Sequence, residues 1–298
     1  MVNHIQTYEL PDGVPHQDFQ LYEVKGQDIK SGKYPHRTDR PHRHNYYEIC
    51  VFINGAGKHE IDFNPYTIQS NSIHFISPGQ VHLISREKDY HGYLIVFSRE
   101  FYSLDTFHQD LLYHLPFFNN PTMLPVLDMN KEEFGELLQL IWNIQKENRA
   151  DFIITKKILR SYLQILLLKC HQIYIQHFAE RVKMYDPHFA QVQQFTTLVE
   201  KNYKEYHLVQ DYAAMMAISP AVLNKYVKKI TGYTAGEIIV DRLVLQAKRL
   251  LIYTDLSNKE IAFRLNYDDP SYFTKVFKRK TAVSPSAFRK KMNEKYQF

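Results

Sequence analysis

Cysteine is scarce: Cys50 and Cys170 are the two among 298 residues, far apart and without the close spacing of a metal site or a disulfide framework. A cross-linked secreted scaffold is excluded, and a reducing cytoplasm suits the pair. Long apolar runs are missing as well. The richest, ILRSYLQILLLKC at residues 158–170, is interrupted by Arg160 and Gln164 and is shorter than the roughly 20 residues a membrane span requires. The opening MVNHIQTYELPDG has no basic start followed by an apolar stretch, so export is not expected and a cytoplasmic, membrane-free protein is. Apolar residues still make up 44% of the 298 positions, enough for two cores, and the patterns below predict an α+β two-domain chain.

What is present is unevenly placed. Residues 189–298 carry 18 Lys and Arg against 10 Asp and Glu, while residues 1–188 carry 19 against 22. The basic part holds two similar stretches, LVQDYAAMMAISPAVLNKYVKKITG and NKEIAFRLNYDDPSYFTKVFKRKTAVSP. Each puts a small residue (Ala213, Ala262) where two short helices must cross, a turn four residues on (Ala217, Asn266) and a core apolar residue in the next helix (Leu223, Phe273). The repeat offset is 49 residues before the turn and 50 after it, which is hard to obtain by chance. Ser219-Pro220 and Asp269-Pro270 each set a side-chain cap before a proline at the first helical position, and Ser284-Pro285 opens a last short helix the same way. Thr234 with Glu237 caps a helix running to about Tyr253, and Ser257 with Glu260 repeats the box. That helix spans roughly 30 Å, close to the roughly 34 Å between successive major-groove faces of a duplex. The spacing predicts two helix-turn-helix units, about 208–231 and 257–281, reading adjacent grooves of double-stranded DNA.

These residues, from about Phe189 to Lys291, resemble the AraC/XylS family of transcription regulators, most specifically at Arg242, Ala247, Leu250-Leu251, Ser257, Glu260-Ile261-Ala262, Ser271-Tyr272-Phe273, Phe277-Lys278 and Ser284-Pro285. The chain departs from the family habit at Ala217, Asn266 and Ala282, where Gly is usual; Asn tolerates a left-handed backbone, whereas the alanines require another turn geometry or strain. The exposed early positions of the first reading helix, Ala221, Asn224 and Lys225, are expected to contact bases, since Leu223, Tyr226 and Val227 are claimed by the core. For the second helix the resemblance implies Pro270, Ser271, Thr274 and Lys275. Ser219, Lys228, Lys229, Lys278, Arg279 and Lys280 are expected on phosphates, as is the cluster Arg289-Lys290-Lys291.

The first half reads differently. After a polar lead, short β-rich runs (YYEICVFI, KHEIDF, SIHFI, GYLIVF) alternate with turns such as Asn54-Gly55 and Pro78-Gly79, predicting a small barrel over about 15–115. His42-Arg43-His44-Asn45-Tyr46-Tyr47-Glu48 with Gly55, then Pro78-Gly79-Gln80-Val81-His82, resemble the two motifs of the cupin barrel, a domain that AraC-type regulators often carry. His42, His44 and Glu48 stand at even separations on an extended segment and His82 on a second strand, so all four can face inward. Two uses follow: strand-end packing and polar lining of a pocket for a small organic effector, with no cofactor, or ligation of a divalent transition metal. Residues 131–178 change to helical period, with Phe134, Leu137, Leu138 and Ile141 on one face and Ile158, Leu159, Tyr162, Leu166, Cys170, Ile173 and Tyr174 on another. The resemblance implies a homodimer through these helices; packing onto the barrel is the plainer use.

The expected layout is a cupin-like sensing and dimerisation domain (1–182), a linker (183–188) and a DNA-binding domain (189–298). The expected function is sequence-specific transcription regulation under a small-molecule effector, with RNA polymerase as a further partner and no catalysis. A metal-dependent cupin enzyme and a protein-binding scaffold stand as alternatives.

Overall fold

The computed structural model describes residues 6–10, 18–26, 40–86, 89–102, 112, 115–118, 123–148, 154–182 and 187–296. Contacts divide the chain into two units, Gln6–Phe178 and one holding Ala179–Phe298. Most of the expected linker, residues 183–186, lies outside the described residues, as does part of the expected barrel range.

In the first unit the strands are β1 (Thr7–Tyr8), β2 (Phe19–Lys25), β3 (His42–His44), β4 (Tyr47–Asn54), β5 (Gly57–Ile61), β6 (Asn64–Ile68), β7 (Ser72–Ile76), β8 (Val81–Arg86), β9 (His91–Phe97) and β10 (Val126–Asp128). They form two five-stranded sheets, ordered β1-β3-β8-β5-β6 and β10-β7-β4-β9-β2. The expected barrel is thus realised as two facing layers; among the described residues no strand pairing joins them, and side-chain packing closes the interior. β4 shows how one sequence serves two cores. Its even positions, Cys50 and Phe52, join Ile61, Ile68, Ile76, Ile84 and Leu94 between the sheets, while Tyr47, Ile49 and Val51 face the helices. Both faces are covered, so the run is apolar without alternation.

The helices are α1 (Arg99–Tyr102), α2 (Lys131–Glu147) and α3 (Thr155–Val182). Asn130 caps α2 by accepting from the Glu132 and Glu133 amides, and Glu133 returns a bond to the Asn130 amide, the capping box that releases the helix from β10. Phe134, Leu137, Ile141 and Ile144 of α2 pack with Leu159, Leu163, Leu166, Leu167, Cys170 and Tyr174 of α3 and the outer face of the second sheet in one core. At about 25 cal/mol per Å², each such buried aliphatic side chain contributes roughly 1.5–3 kcal/mol.

The second unit is helical: α4 (Phe189–Asn202), α5 (Val209–Met215), α6 (Pro220–Thr231), α7 (Ala235–Tyr253), α8 (Asn258–Arg264), α9 (Pro270–Thr281) and α10 (Pro285–Tyr296). α5 with α6 and α8 with α9 are the two helix-turn-helix units. Ala213 and Ala262 are buried at the crossings, and Ser219, Thr234, Ser257 and Asp269 each accept a helix amide as caps. α7, about 28 Å long at 1.5 Å per residue, packs against every other helix of this unit. Arg242 on α7 fixes α4, its Nε donating to Glu200 at 2.7 Å and its guanidinium lying 3.8 Å from the Tyr203 ring centroid. Arg289, read from sequence with a phosphate-contacting cluster, instead turns inward and donates to the carbonyls of Leu251, Thr254 and Leu256, closing the C-terminal end of α7.

Candidate functional site

Between the sheets, register brings polar residues together that sequence separates. His42 pairs with His82 across β3 and β8, His82 pairs with Ile61 across β8 and β5, and Cys50 pairs with His74 across β4 and β7. His42, His44, Glu48, His59, His74 and His82 are all buried. One ligand atom from each of His44, Glu48 and His82 lies within 4.8 Å of the others; His42, the fourth expected member, is outside that set although its ring centroid is 4.1 Å from that of His82. His44 Nδ1 faces the Tyr46 carbonyl at 2.7 Å and His42 Nδ1 the Arg40 carbonyl at 2.9 Å. A carbonyl only accepts, so in both rings Nδ1 carries the proton and Nε2 the lone pair. Two members were not foreseen: His59 Nδ1 lies 3.0 Å from His74 Nδ1, and His59 Nε2 lies 3.1 Å from His82 Nδ1. The alternation of KHEIDF, with His59 and Ile61 on one face, was the signal available for His59.

Burial sets the charges here. It pushes His44 and His74 down to about 3 and His59 well below the ordinary range, with the neighbouring His42 adding to the effect at His44. Burial raises the Glu48 carboxyl to about 7, opposed by the Cys50 thiol, which donates to it at 3.3 Å, and by Arg86. At neutral pH these three imidazoles are therefore uncharged, the state that coordinates metals.

In the second unit, α6 presents Ala221, Lys225 and Lys228 to solvent, and α9 presents Ser271, Lys275 and Lys278. Both are i, i+4, i+7 stripes, related by the same 50-residue offset as the buried Leu223 and Phe273. Lys229 and Arg279 are also exposed. Four expected contacts sit differently. Asn224 is half-buried, its Oδ1 accepting from the Ala235 amide at 3.0 Å, so it ties the reading helix to α7. Thr274 donates to the Pro270 carbonyl at 3.0 Å, and Pro270 itself is half-buried. Lys280 is ion-paired with Asp241 on α7 at 2.7 Å. The Ser219 hydroxyl accepts from the Val222 amide as a cap, leaving its proton to donate outward. Tyr226, read as core, is half-buried and stacks on His188 at a centroid distance of 3.6 Å. Tyr272, beside Ser271, was not singled out as a contact but is 56% exposed, its ring centroid 6.1 Å from that of Tyr267.

A β-sheet domain with a polar interior, joined to paired helix-turn-helix units on a basic surface, defines a ligand-responsive DNA-binding protein. Residues 26–163 match the AraC-like ligand binding domain, and residues 212–291 match a helix-turn-helix domain. The chain belongs to the AraC family of transcription regulators, with an N-terminal effector-binding domain and a C-terminal DNA-binding domain. It is 24% identical over 253 residues to the HTH-type transcriptional activator RhaS of Yersinia pestis bv. Antiqua (strain Angola), covering 84% of this chain and 89% of that one. Among solved structures, ToxT from Vibrio cholerae O395 is 15% identical with a TM-score of 0.41 over 92% of this chain and 97% of its own. The C-terminal domain of AraT, a response regulator from Geobacillus stearothermophilus, is 28% identical with a TM-score of 0.32, over 34% of this chain and 84% of its own. The two matched domains make this chain a transcription regulator. Among the described residues no helix is long and apolar enough to cross a membrane.

Proposed function

We propose that this chain is a cytoplasmic transcription activator whose reading helices α6 and α9 enter neighbouring major grooves of one duplex. The carrying observation is the repeated exposed stripe, Ala221-Lys225-Lys228 and Ser271-Lys275-Lys278. Lys225 and Lys275 donate to base acceptors, Ala221 and Ser271 set shape and small contacts, and Lys228, Lys229, Lys278 and Arg279 neutralise phosphates. Asn224, Thr274 and Pro270 support the reading surface, and Lys280 reaches a phosphate only by leaving Asp241. Residues 1–182 sense a small molecule, 183–188 link, and 189–298 bind DNA. Trp142 on α2 and Ile165 and Leu168 on α3 are large apolar side chains 45–47% exposed, which supports a homodimer through these helices. RNA polymerase is the partner an activator requires.

Selection of duplexes from a random pool by the full-length protein tests this. A preferred sequence containing two blocks about one helical turn apart is expected, with Lys225→Ala weakening binding to it more than to unrelated DNA, and Lys278→Ala weakening both and lowering the salt slope by about 1. Recovery of unselected sequences would refute it.

A further inference from the structure

We infer that the loop of residues 203–208, through the positioning residue His207, is a second strut between the two helix-turn-helix units, and that this strut sets the spacing at which α6 and α9 read one duplex; its consequence for DNA rests on the regulator reading above. The two turns of the repeat differ at three places: Asn266 stands where the first unit has Ala217, Tyr267 where it has Ile218, and Asp268 is extra. All three bear on this one loop. Asn266 Nδ2 donates to the Glu205 carbonyl at 3.3 Å, and the Tyr267 ring centroid lies 4.8 Å from that of His207. The Asp268 carboxylate lies close enough to the His207 ring to favour its protonated form. Ala217 and Ile218 of the first turn offer neither a side-chain amide nor a ring nor a charge, so the asymmetry of the repeat is confined to the turn that touches the other unit.

Both ends of the strut are anchored. The Glu205 and Tyr206 amides donate to the Asn202 carbonyl at the end of α4, at 2.9 and 3.1 Å, and the Tyr206 carbonyl accepts from the Tyr212 hydroxyl of α5 at 2.9 Å. On the other side Tyr267 is buried, its ring centroid 5.5 Å from that of Phe273 in the core face of α9. Burial holds the His207 ring below its ordinary pKa, against the Leu265 and Lys204 carbonyls and the Asp268 and Asp211 carboxylates, so at neutral pH it meets Tyr267 as an uncharged aromatic surface. Packing on one shared helix leaves small rotations of the two units about α7 cheap. An attachment that bypasses α7 makes them costly, and rotation is what spacing demands: one extra base pair between two blocks turns the second by about 34°.

The experiment uses the full-length protein, His207→Ala and, as a second variant, Asn266→Gly, which removes the amide and leaves the left-handed backbone unstrained. Nitroxide labels on Lys228→Cys and Lys278→Cys, exposed and equivalent positions of α6 and α9, report the distance between the reading helices; Cys50 and Cys170 are buried. Pulsed electron spin resonance should give one narrow distance distribution for the otherwise unchanged chain and a broader one for each variant. Unlabelled protein is then titrated with the selected duplex and with the same duplex carrying one extra base pair between its blocks. That insertion should cost at least 10-fold in affinity with His207 and Asn266 in place and about 3-fold in either variant. Lost stability alone lowers affinity for both duplexes by the same factor and leaves this ratio unmoved, and thermal melts identify a variant that fails to fold. A broad distribution with both side chains present overturns the strut by itself, as do unchanged widths in the variants that fold. Broader distances with an unchanged insertion ratio overturn its role in spacing alone. No duplex preference in the unaltered protein refutes the regulator reading, while the label distances still decide the strut.

Discussion

Ala217 and Asn266, 49 positions apart, hold the same left-handed backbone, with φ of 53° and 58°. Each lets the next amide reach back to the crossing alanine: Ile218 to the Ala213 carbonyl at 3.0 Å and Tyr267 to the Ala262 carbonyl at 2.9 Å, the closure typical of a left-handed helix end. The turns are therefore identical up to that point, and the extra residue of the second unit, Asp268, falls after it. Ala282 is left-handed too, at 63°. An L-residue with a Cβ pays roughly 1–2 kcal/mol there, partly offset by the lower chain entropy of alanine when unfolded. Ala217→Gly and Ala282→Gly should each stabilise the second unit by about 0.5–1 kcal/mol in urea melts. Destabilisation by both would show that the strain is absent.

Asn224 faces α7, not solvent alone. Because its Oδ1 accepts the Ala235 amide, Asn224→Ala should cost about 1 kcal/mol of stability and lower affinity for all duplexes by similar factors. A loss confined to one base pair of the preferred site, measured with a panel of single-substitution duplexes, would restore it to the base-reading set.

Tyr272 is 56% exposed at the start of α9. Tyr272→Ala should leave the melting behaviour within about 0.5 kcal/mol and weaken binding to the preferred duplex by about 10-fold, the size of one lost base or methyl contact. Equilibrium titrations that show no change would remove Tyr272 from the interface.

Acid should loosen the first unit of metal-free protein. His44, His59 and His74 have folded values below their ordinary 6.5, so the unfolded chain binds those protons first and stability falls as pH drops below that value. Glu48 acts oppositely: raised to about 7, its contribution is complete below its ordinary 4.5 and is lost as pH rises through 7. Three imidazoles outweigh one carboxyl between pH 7 and 5.5, and the calorimetric midpoint of this unit should fall by on the order of 5 °C. An equal or higher midpoint at pH 5.5 would contradict the buried, neutral state of the rings.

Sequence made the second unit legible because its signals are local. Caps at Ser219, Thr234, Ser257 and Asp269, the crossing alanines and the helical period all act within a few residues, and each appears where its chemistry requires. Long-range relations were not legible. The Lys280 pairing with Asp241 spans 39 positions and the inward turn of Arg289 depends on where α7 ends, so a count of basic residues assigned both to phosphates. The same holds between the sheets: even spacing placed His44 and Glu48 on an inward face and the alternation of KHEIDF could have placed His59 there, but His74 sits in a strand buried on both faces, and which rings meet is set by cross-strand register.

α7 packs against both α6 and α9, and the proposed function requires it to hold them as one pair of reading helices on one face of a duplex. The most direct test inserts base pairs between the two blocks of the selected sequence and measures affinity at fixed salt. Five inserted pairs turn the second block to the opposite face, and affinity should fall at least 100-fold, to the level of unrelated DNA plus one helix. Affinity retained after that insertion would mean that the two helices do not read one site together.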